Sequence, residues 1–354
     1  GRDPGQLVNP TQFAYIPSLS LNLMDYMTTG AAMVSLPVYA GGRIRNGYRL
    51  TKIGEEVSNA QKAMTQDEVL VKTEELFWTL QSLQEKEKTI LRYQVMLDSL
   101  ARDVSNYTRA GLAQENDLLK VQLKQNELKT SLLKLRNGID LTRRALCQHT
   151  GLPYEASLVF AAPAGPESVP PAFADPDQAV KNRNEYRLLN SAVEAGRVQK
   201  RLAVGEYMPQ LAVTGAGFTY DMMDKTTSNA MALVTLNIPI SDWWAGSHRI
   251  KRQELAVKEA QNSLQENTEL LVLQIRQAEN EVRETLFQIE VSGKSAEQAS
   301  ENLRISEDNY KAGLIGISDL LEAQALVQQA KDNLTDARCQ YQSKLARYKM
   351  VTGR

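Results

Sequence analysis

Three segments of the chain alternate apolar with polar residues, and this period of two predicts β-strands. Leucine alternates with serine and asparagine over 18–23, and aliphatic residues occupy every second position over 32–38 and 234–240. The segment 211–218 is rich in glycine and alternates poorly, but its length and its position match a fourth strand. Each alternating strand is therefore expected to have one apolar and one polar face.

Two much longer segments predict helices. Between residues 43 and 104 there is no proline, and the only glycines are Gly47 and Gly54; 247–311 has no proline and only Gly293. About 60 helical residues rise ~90 Å, more than a compact globule accommodates. Apolar residues in the first helix follow alternating spacings of three and four, at Ile90, Tyr93, Leu97, Leu100, Val104 and Tyr107. That spacing is typical of a coiled coil.

The chain contains an internal repeat. YTRAGLAQENDLL near residue 107 resembles YKAGLIGISDLL near residue 310, and Gly111 lies 202 residues before Gly313. Pro37 and Pro239 share that offset, as do the Thr-Gly pairs that end the two halves. One structural plan is therefore used twice.

The repeat divides the chain into four parts. Residues 1–14 form an N-terminal segment, and we expect the helix that the first half lacks to precede it. Repeat 1 (15–150) is predicted to contain strands at about 15–24 and 31–39 and helices at about 43–106 and 115–150. A Pro-rich crossover (151–175) leads to repeat 2 (176–354), with a helix at about 176–206, capped by Asp175, strands at about 209–220 and 230–241, and helices at about 247–311 and 318–351.

Composition and motifs exclude several functions. The net charge is −1, from 41 basic and 42 acidic residues, so nothing favours binding to nucleic acid. No segment approaches the ~18 consecutive apolar residues of a membrane-spanning helix, which excludes a helical membrane protein. His149 and His248 are isolated, and no nucleophile, phosphate-loop or metal-ligand motif occurs. We therefore expect no enzyme activity, no metal and no cofactor.

Aromatic residues gather at one end of the predicted strands. They are Tyr15, Tyr39, Tyr207, Trp243 and Trp244. Such clustering is typical of an aromatic girdle at a membrane interface. A soluble sheet packed on a core is the alternative, and the pattern alone does not distinguish the two.

These motifs together resemble the TolC-like outer membrane efflux protein family, over roughly residues 15–354. The similarity is most specific in the second half, in YMPQL, NIPIS and NYKAGLIGISDLLEAQ. The first half departs from the pattern in YTRAGL, where one extra residue separates Tyr107 from Gly111.

The resemblance implies a mainly α fold with a β-barrel part. Each chain would supply two repeats of two strands plus a long coiled-coil hairpin. A homotrimer would form a 12-stranded outer-membrane barrel, bounded by lipid, and a periplasmic α-helical tunnel. Its function would be passive export in a tripartite efflux or type I secretion system of a Gram-negative bacterium. Its partners would be a periplasmic adaptor and, indirectly, an inner-membrane pump of the RND or ABC type.

The resemblance also implies roles for the two Gly-centred turns. Asp319 and Glu322, with Asp117 as the first-half counterpart, would form the gate at the periplasmic entrance. A helix N-terminal role for Asp319 is the alternative. The exposed tips would dock the adaptor through Ala110, Gly111, Leu112, Ala312, Gly313 and Leu314.

A soluble periplasmic coiled-coil adaptor or scaffold protein is the competing interpretation. Adaptors usually have one hairpin flanked by compact β-domains, whereas this sequence predicts two hairpins and few strands. Dependence on detergent distinguishes a barrel protein from a soluble scaffold.

Overall fold

The structure is a computed structural model that describes residues 27–111, 113–155, 160, 171–222, 225–240 and 243–353. Its strands are β1 (Met27–Ala40), β2 (Gln210–Met222) and β3 (Lys225–Asn237). Its helices are α1 (Arg43–Arg109), α2 (Glu115–Thr150), α3 (Pro176–Ala179), α4 (Asn184–Glu206), α5 (Trp243–Lys311) and α6 (Ile317–Thr352). A 3₁₀ turn, Val180–Asn182, follows α3. The strand predicted at 15–24 lies outside the described residues.

The chain divides into two compact units. One contains Gly1–Lys52 and Ala195–Lys258, and therefore the sheet. The other contains Ile53–Glu194 and Glu259–Arg354, and therefore most of both helical hairpins, α1–α2 and α5–α6. None of the helices in the described ranges is both long and apolar enough to cross a membrane.

The three described strands form one antiparallel sheet in the order β1-β2-β3. Leu36 lies opposite Val213, which lies opposite Val234, so these three side chains share a face. Ser35 and Thr214 lie opposite each other on the other face, and their hydroxyl oxygens are 3.1 Å apart. The first face is therefore mainly aliphatic near the Leu36 end of the sheet. The second face carries most of the hydroxyl and amide side chains together with Met33, Phe218, Met231 and Leu233.

A β-bulge in β1 alters the position of Tyr39. The pairing runs from Pro37 opposite Ala212 to Tyr39 opposite Leu211, so Val38 is the extra residue. Strict alternation would place Tyr39 on the polar face, but its pairing with Leu211 places it on the aliphatic face. The bulge thus brings an aromatic ring to the end of the apolar surface.

The other predicted aromatics do not all lie on strand ends. Trp243 and Trp244 begin α5, so the helix predicted from 247 starts four residues earlier. The strand predicted over 230–241 is β3, which spans Lys225–Asn237. β3 ends at Asn237 because Pro239 has no N–H to donate to the neighbouring strand. β3 starts as early as Lys225 because Lys225 pairs with Met222 of β2. Trp244 is 87% exposed, whereas Tyr207 lies against the backbone of Gly246.

The prediction of one continuous helix over 176–206 is wrong. Asp175 does accept a hydrogen bond from Asp177 N–H at 3.1 Å, as an N-cap, but the helix is interrupted at Arg183. The backbone of Arg183 is extended, with φ −69° and ψ 142°. This conformation buries the guanidinium, which pairs with Glu185 and donates to Gln274 Oε1 of α5 at 3.1 Å. Satisfying a buried charge therefore interrupts the helix.

Three apolar clusters and several polar contacts stabilise the helical hairpins in the described ranges. The predicted seam of α1 is buried from Ile90 to Val104, although Tyr107 at its end is half-exposed. Within the second hairpin, a further cluster joins Ile275 and Val282 of α5 to Tyr341 and Tyr348 of α6. The first hairpin also has a small core of its own at Leu80, Ile139 and Leu146.

A half-buried acidic pair joins α6 to α1. Asp336 accepts from Ser82 Oγ at 2.7 Å and from Lys86 Nζ at 2.6 Å, so both of its oxygens are engaged. Asp332, one turn earlier, has an oxygen, Oδ1, that is buried without a hydrogen-bond partner among the described residues. Burial, together with the charge of Asp336, raises the pKa of Asp332 to about 6, although Lys86 acts in the opposite direction.

We expect the contribution of Asp332 to the stability of the folded chain to fall as pH rises from about 4 to about 6. In that interval the folded protein holds a proton on Asp332 that the unfolded chain releases. Asp332→Asn should remove this dependence and stabilise the protein above pH 6 by about 1 to 2 kcal/mol, allowing for solvent screening. Unfolding midpoints followed by circular dichroism at pH 5 and 7.5 measure the effect. Asp308→Asn, at an exposed site on α5, is the control, and equal responses of the two variants would refute the assignment.

Candidate functional site at the two hairpin turns

Both hairpins turn through a glycine in the left-handed conformation. Gly111 has φ 73° and Gly313 has φ 72°, and at neither residue does a neighbouring atom lie within 4 Å of the position that a Cβ would occupy. Gly111 N–H donates to Thr108 C=O and Gly313 N–H donates to Tyr310 C=O, each at 3.0 Å. These bonds satisfy carbonyls at the helix ends, so glycine is required by the conformation and not by crowding.

The extra residue of YTRAGL does not alter the turn itself. α1 and α5 both end two residues before the glycine, and α2 and α6 both begin four residues after it. The added residue therefore lies inside α1. One residue corresponds to about 100° of helical rotation, so Tyr107 and Tyr310 occupy different positions around their helices.

A shared apolar cluster brings the ends of the two hairpins together. It joins residues of α1, α2 and α6, namely Ile90, Tyr93, Leu97, Leu100, Val104, Val121, Leu128, Ile317 and Leu320. A cleft of about 730 Å³ lies beside this cluster and is lined by residues of both turns. The two turns are therefore neighbours within one chain.

The predicted gate carboxylates occupy two different environments. Asp319 is exposed at the third position of α6, and its Oδ2 accepts from Gly316 N–H at 3.2 Å. Glu322 is exposed one turn further along the same helix. Asp319 thus does stabilise a helix N-terminus, while remaining open to solvent. Asp117, on α2, is partly buried, lies 3.6 Å from Lys120 Nζ and lines the cleft.

Tyr310, at the end of α5, lies close to charged groups of the first hairpin, and sequence reasoning did not single it out. Its pKa is raised by burial and by the charges of Asp117, Tyr107 and Asp103. The position of Tyr310 in the YxAGL motif was the only indication in the sequence that it could be functional. Its environment could not be predicted, because it is formed by residues about 200 positions earlier in the chain. Asp117 and Tyr310 therefore line the same cleft, and no described contact joins Asp117 to Asp319 or Glu322.

The predicted docking tips are accessible in the single chain. Ala110, Gly111, Ala312 and Gly313 are exposed, and Leu314 is 74% exposed. Leu112 lies outside the described residues. No group of three or more potential metal ligands occurs in the described ranges. The described residues of the turns thus present small residues and the large apolar side chain of Leu314 to solvent.

Two long helical hairpins together with a small antiparallel sheet in one chain define the class of outer-membrane channel folds. The model of the family described as "Outer membrane efflux protein" matches residues 176–354, and this chain belongs to that family. A comparison with curated protein sequences found no match.

Solved structures of outer-membrane proteins share the fold. VceC from Vibrio cholerae superposes with a TM-score of 0.75 at 12% identity, covering 93% of this chain and 87% of its own. The CmeC outer membrane channel of Campylobacter jejuni gives 0.75 at 14% identity, with coverages of 93% and 78%. The MtrE outer membrane channel of Neisseria gonorrhoeae, in its open state, gives 0.73 at 15% identity, with coverages of 94% and 81%.

We expect Gly111→Ala and Gly313→Ala each to lower the free energy of unfolding by about 1 kcal/mol, because an L-residue is strained at positive φ. Gly293→Ala is the control, since Gly293 lies inside α5 with no atom near its Cβ position. That variant should instead be more stable by up to about 1 kcal/mol. Chemical denaturation followed by circular dichroism tests the difference in sign, and a shift in the same direction for all three variants would contradict it.

Proposed function

We propose that this chain is one protomer of a homotrimeric outer-membrane channel. It would serve as the exit duct of a tripartite efflux pump or a type I secretion system in a Gram-negative bacterium. Cargo would pass from a periplasmic adaptor and an inner-membrane pump of the RND or ABC type to the exterior. Export through the channel would depend on the shape and charge of its lumen, without a catalytic step or a cofactor.

The exposed aliphatic face of the sheet carries this proposal. Val34, Leu36, Val234 and Leu236 lie on one face and are between 60% and 74% exposed. A monomeric soluble protein rarely leaves such a patch uncovered. Lipid is a suitable environment for this face, and the hydroxyl-bearing face is suited to a wet lumen.

The unpaired edges of the sheet support a trimer. Among the described strands, β1 and β3 each pair on one side only, and an unpaired edge is not tolerated within a membrane. The three described strands and the strand predicted at 15–24 give four per chain. Three chains then give the twelve strands of a barrel wide enough to enclose a channel.

The exposed position of Asp319 and Glu322 supports their assignment to the periplasmic entrance. Threefold symmetry would turn each carboxylate into a ring of three. Such rings attract cations and repel one another internally, so they would select for cations and favour opening. Asp117 would contribute from the first hairpin, where Lys120 reduces its effect.

Single-channel recording in planar bilayers tests both the channel and the gate. The wild-type protein should conduct with a preference for cations. Asp319→Ala with Glu322→Ala should raise conductance and reduce cation selectivity. Asp319→Asn with Glu322→Gln retains an acceptor for Gly316 N–H while removing the charge, and it should reduce selectivity to the same extent.

Glu297→Gln, at an exposed site far along α5 from the turn, is the control and should leave selectivity unchanged. Absence of wild-type current would refute the channel. Unchanged current in both double variants would refute the gate alone.

The exposed turns support docking of the adaptor at the hairpin tips. Gly313→Trp should abolish drug resistance in cells that depend on this channel, because the indole would obstruct the docking surface. Gly313→Ala has the same backbone strain with little added bulk and should retain most of the resistance. Native mass measurement should show trimers for both variants. Resistance retained by Gly313→Trp would contradict the docking role.

A further inference from the structure

The cleft between the hairpin ends contains a buried polar group that lacks a partner. Gln324 of α6 lines this cleft, is only 3% exposed, and its Oε1 accepts no hydrogen bond from any part of the chain that the structure describes. A buried amide oxygen without a donor destabilises the fold. An N–H group of a bound molecule would satisfy this oxygen.

The charges around the cleft favour a cation. Asp103, Asp117 and Glu307 line it, against the single basic side chain of Lys311 among its described lining residues. Asp103 and Asp117 line the same cleft as Tyr310, and their charges, after burial, contribute to the raised pKa of that tyrosine. Several carboxylates acting within a partly enclosed space concentrate cations there.

The remaining walls favour a molecule with an apolar, aromatic body. Tyr107 and Tyr310 contribute rings, which bind cations over their faces. Leu100 and Leu320 provide an aliphatic floor, and Met96 has a flexible side chain that adapts to irregular shapes. A volume of about 730 Å³ falls within the range of small-molecule sites.

We propose that this cleft is a binding site for a hydrophobic organic cation that bears an N–H donor. The amino group donates to Gln324 Oε1, the positive charge lies near Asp117 and Asp103, and the aromatic body contacts Tyr310 and the aliphatic floor. A bound molecule would contact α1 and α6 together and so link the two hairpins. A lysine or arginine side chain of a partner protein fits the site less well, because it brings no aromatic bulk to the apolar wall. The site is formed by one chain, so its occupation does not depend on whether the chain conducts.

Binding can be measured on the purified full chain in detergent with ethidium, a planar aromatic cation that carries two amino groups and fluoresces more strongly in apolar surroundings. Wild-type protein should bind it saturably, at one site per chain, after subtraction of a micelle blank. N-phenyl-1-naphthylamine, a neutral aromatic amine, should bind at least tenfold more weakly.

Two variants test the assigned contacts. Gln324→Leu removes the acceptor at similar volume, and Asp117→Asn removes a charge at a partly exposed position. Each should raise the Kd for ethidium at least tenfold. Glu297→Gln, at an exposed site on α5 that does not line the cleft, should leave the Kd unchanged. Gln324→Leu should also unfold at a higher temperature than wild type in the absence of ethidium, since it eliminates an unsatisfied polar group.

Failure of the wild-type protein to bind ethidium saturably would overturn the proposal, as would equal affinity for the neutral probe. An unchanged Kd in Gln324→Leu and Asp117→Asn would do the same. If Gln324→Leu does not fold, Asp117→Asn and the neutral probe still decide the outcome. Because none of these measurements involves ion current, their failure is distinguishable from failure of the channel.

Discussion

The packing of α6 against α1 is the constraint on which the rest of the helical unit depends. Leu97, Leu100 and Val104 of α1 share a buried cluster with Ile317 and Leu320 of α6. Because this contact fixes two hairpins side by side, it aligns two glycine turns that lie about 200 residues apart in sequence. The cleft, the grouping of Asp117 with Tyr310 and the common exposure of both tips all follow from it.

The contact between α6 and α1 also contains buried polar side chains, which stabilise it less than apolar side chains would. Gln324, Gln328, Asp332 and Asp336 recur every four residues along α6, and so lie along one stripe of the helix. Asp336 is fully paired with Ser82 and Lys86, but Gln324 and Asp332 each retain a buried oxygen that has no partner among the described residues. Unsatisfied polar atoms reduce the free-energy difference between the packed and separated arrangements of two helices. The stripe therefore makes this contact weaker and more sensitive to pH than its apolar part alone would be.

In the other unit the constraint is the sheet register. Pairing of Leu36 with Val213 and of Val213 with Val234 places aliphatic side chains on one face, and the β-bulge at Val38 adds Tyr39 to it. Among the described strands the aliphatic face is exposed and both edges are unpaired, and such a sheet requires an apolar partner for its face and further strands for its edges. The properties of these three strands therefore agree with the outer membrane efflux protein family to which the chain belongs.

The sequence by itself determined the features that depend on near neighbours. The long helices, the alternation of the strands and the N-cap at Asp175 all follow from residues within a few positions of one another, because propensity and periodicity act locally. The repeat is visible by direct comparison of the two halves of the sequence. Tertiary structure decided the interruption at Arg183, which requires Gln274 of α5, and the side of the sheet on which Tyr39 lies, which requires β2. It also decided that Gln324, one of many glutamines on polar-looking helices, is buried beside the cleft with no partner among the described residues. Contacts between residues far apart in sequence have no local periodicity, so no pattern in the chain could have predicted them.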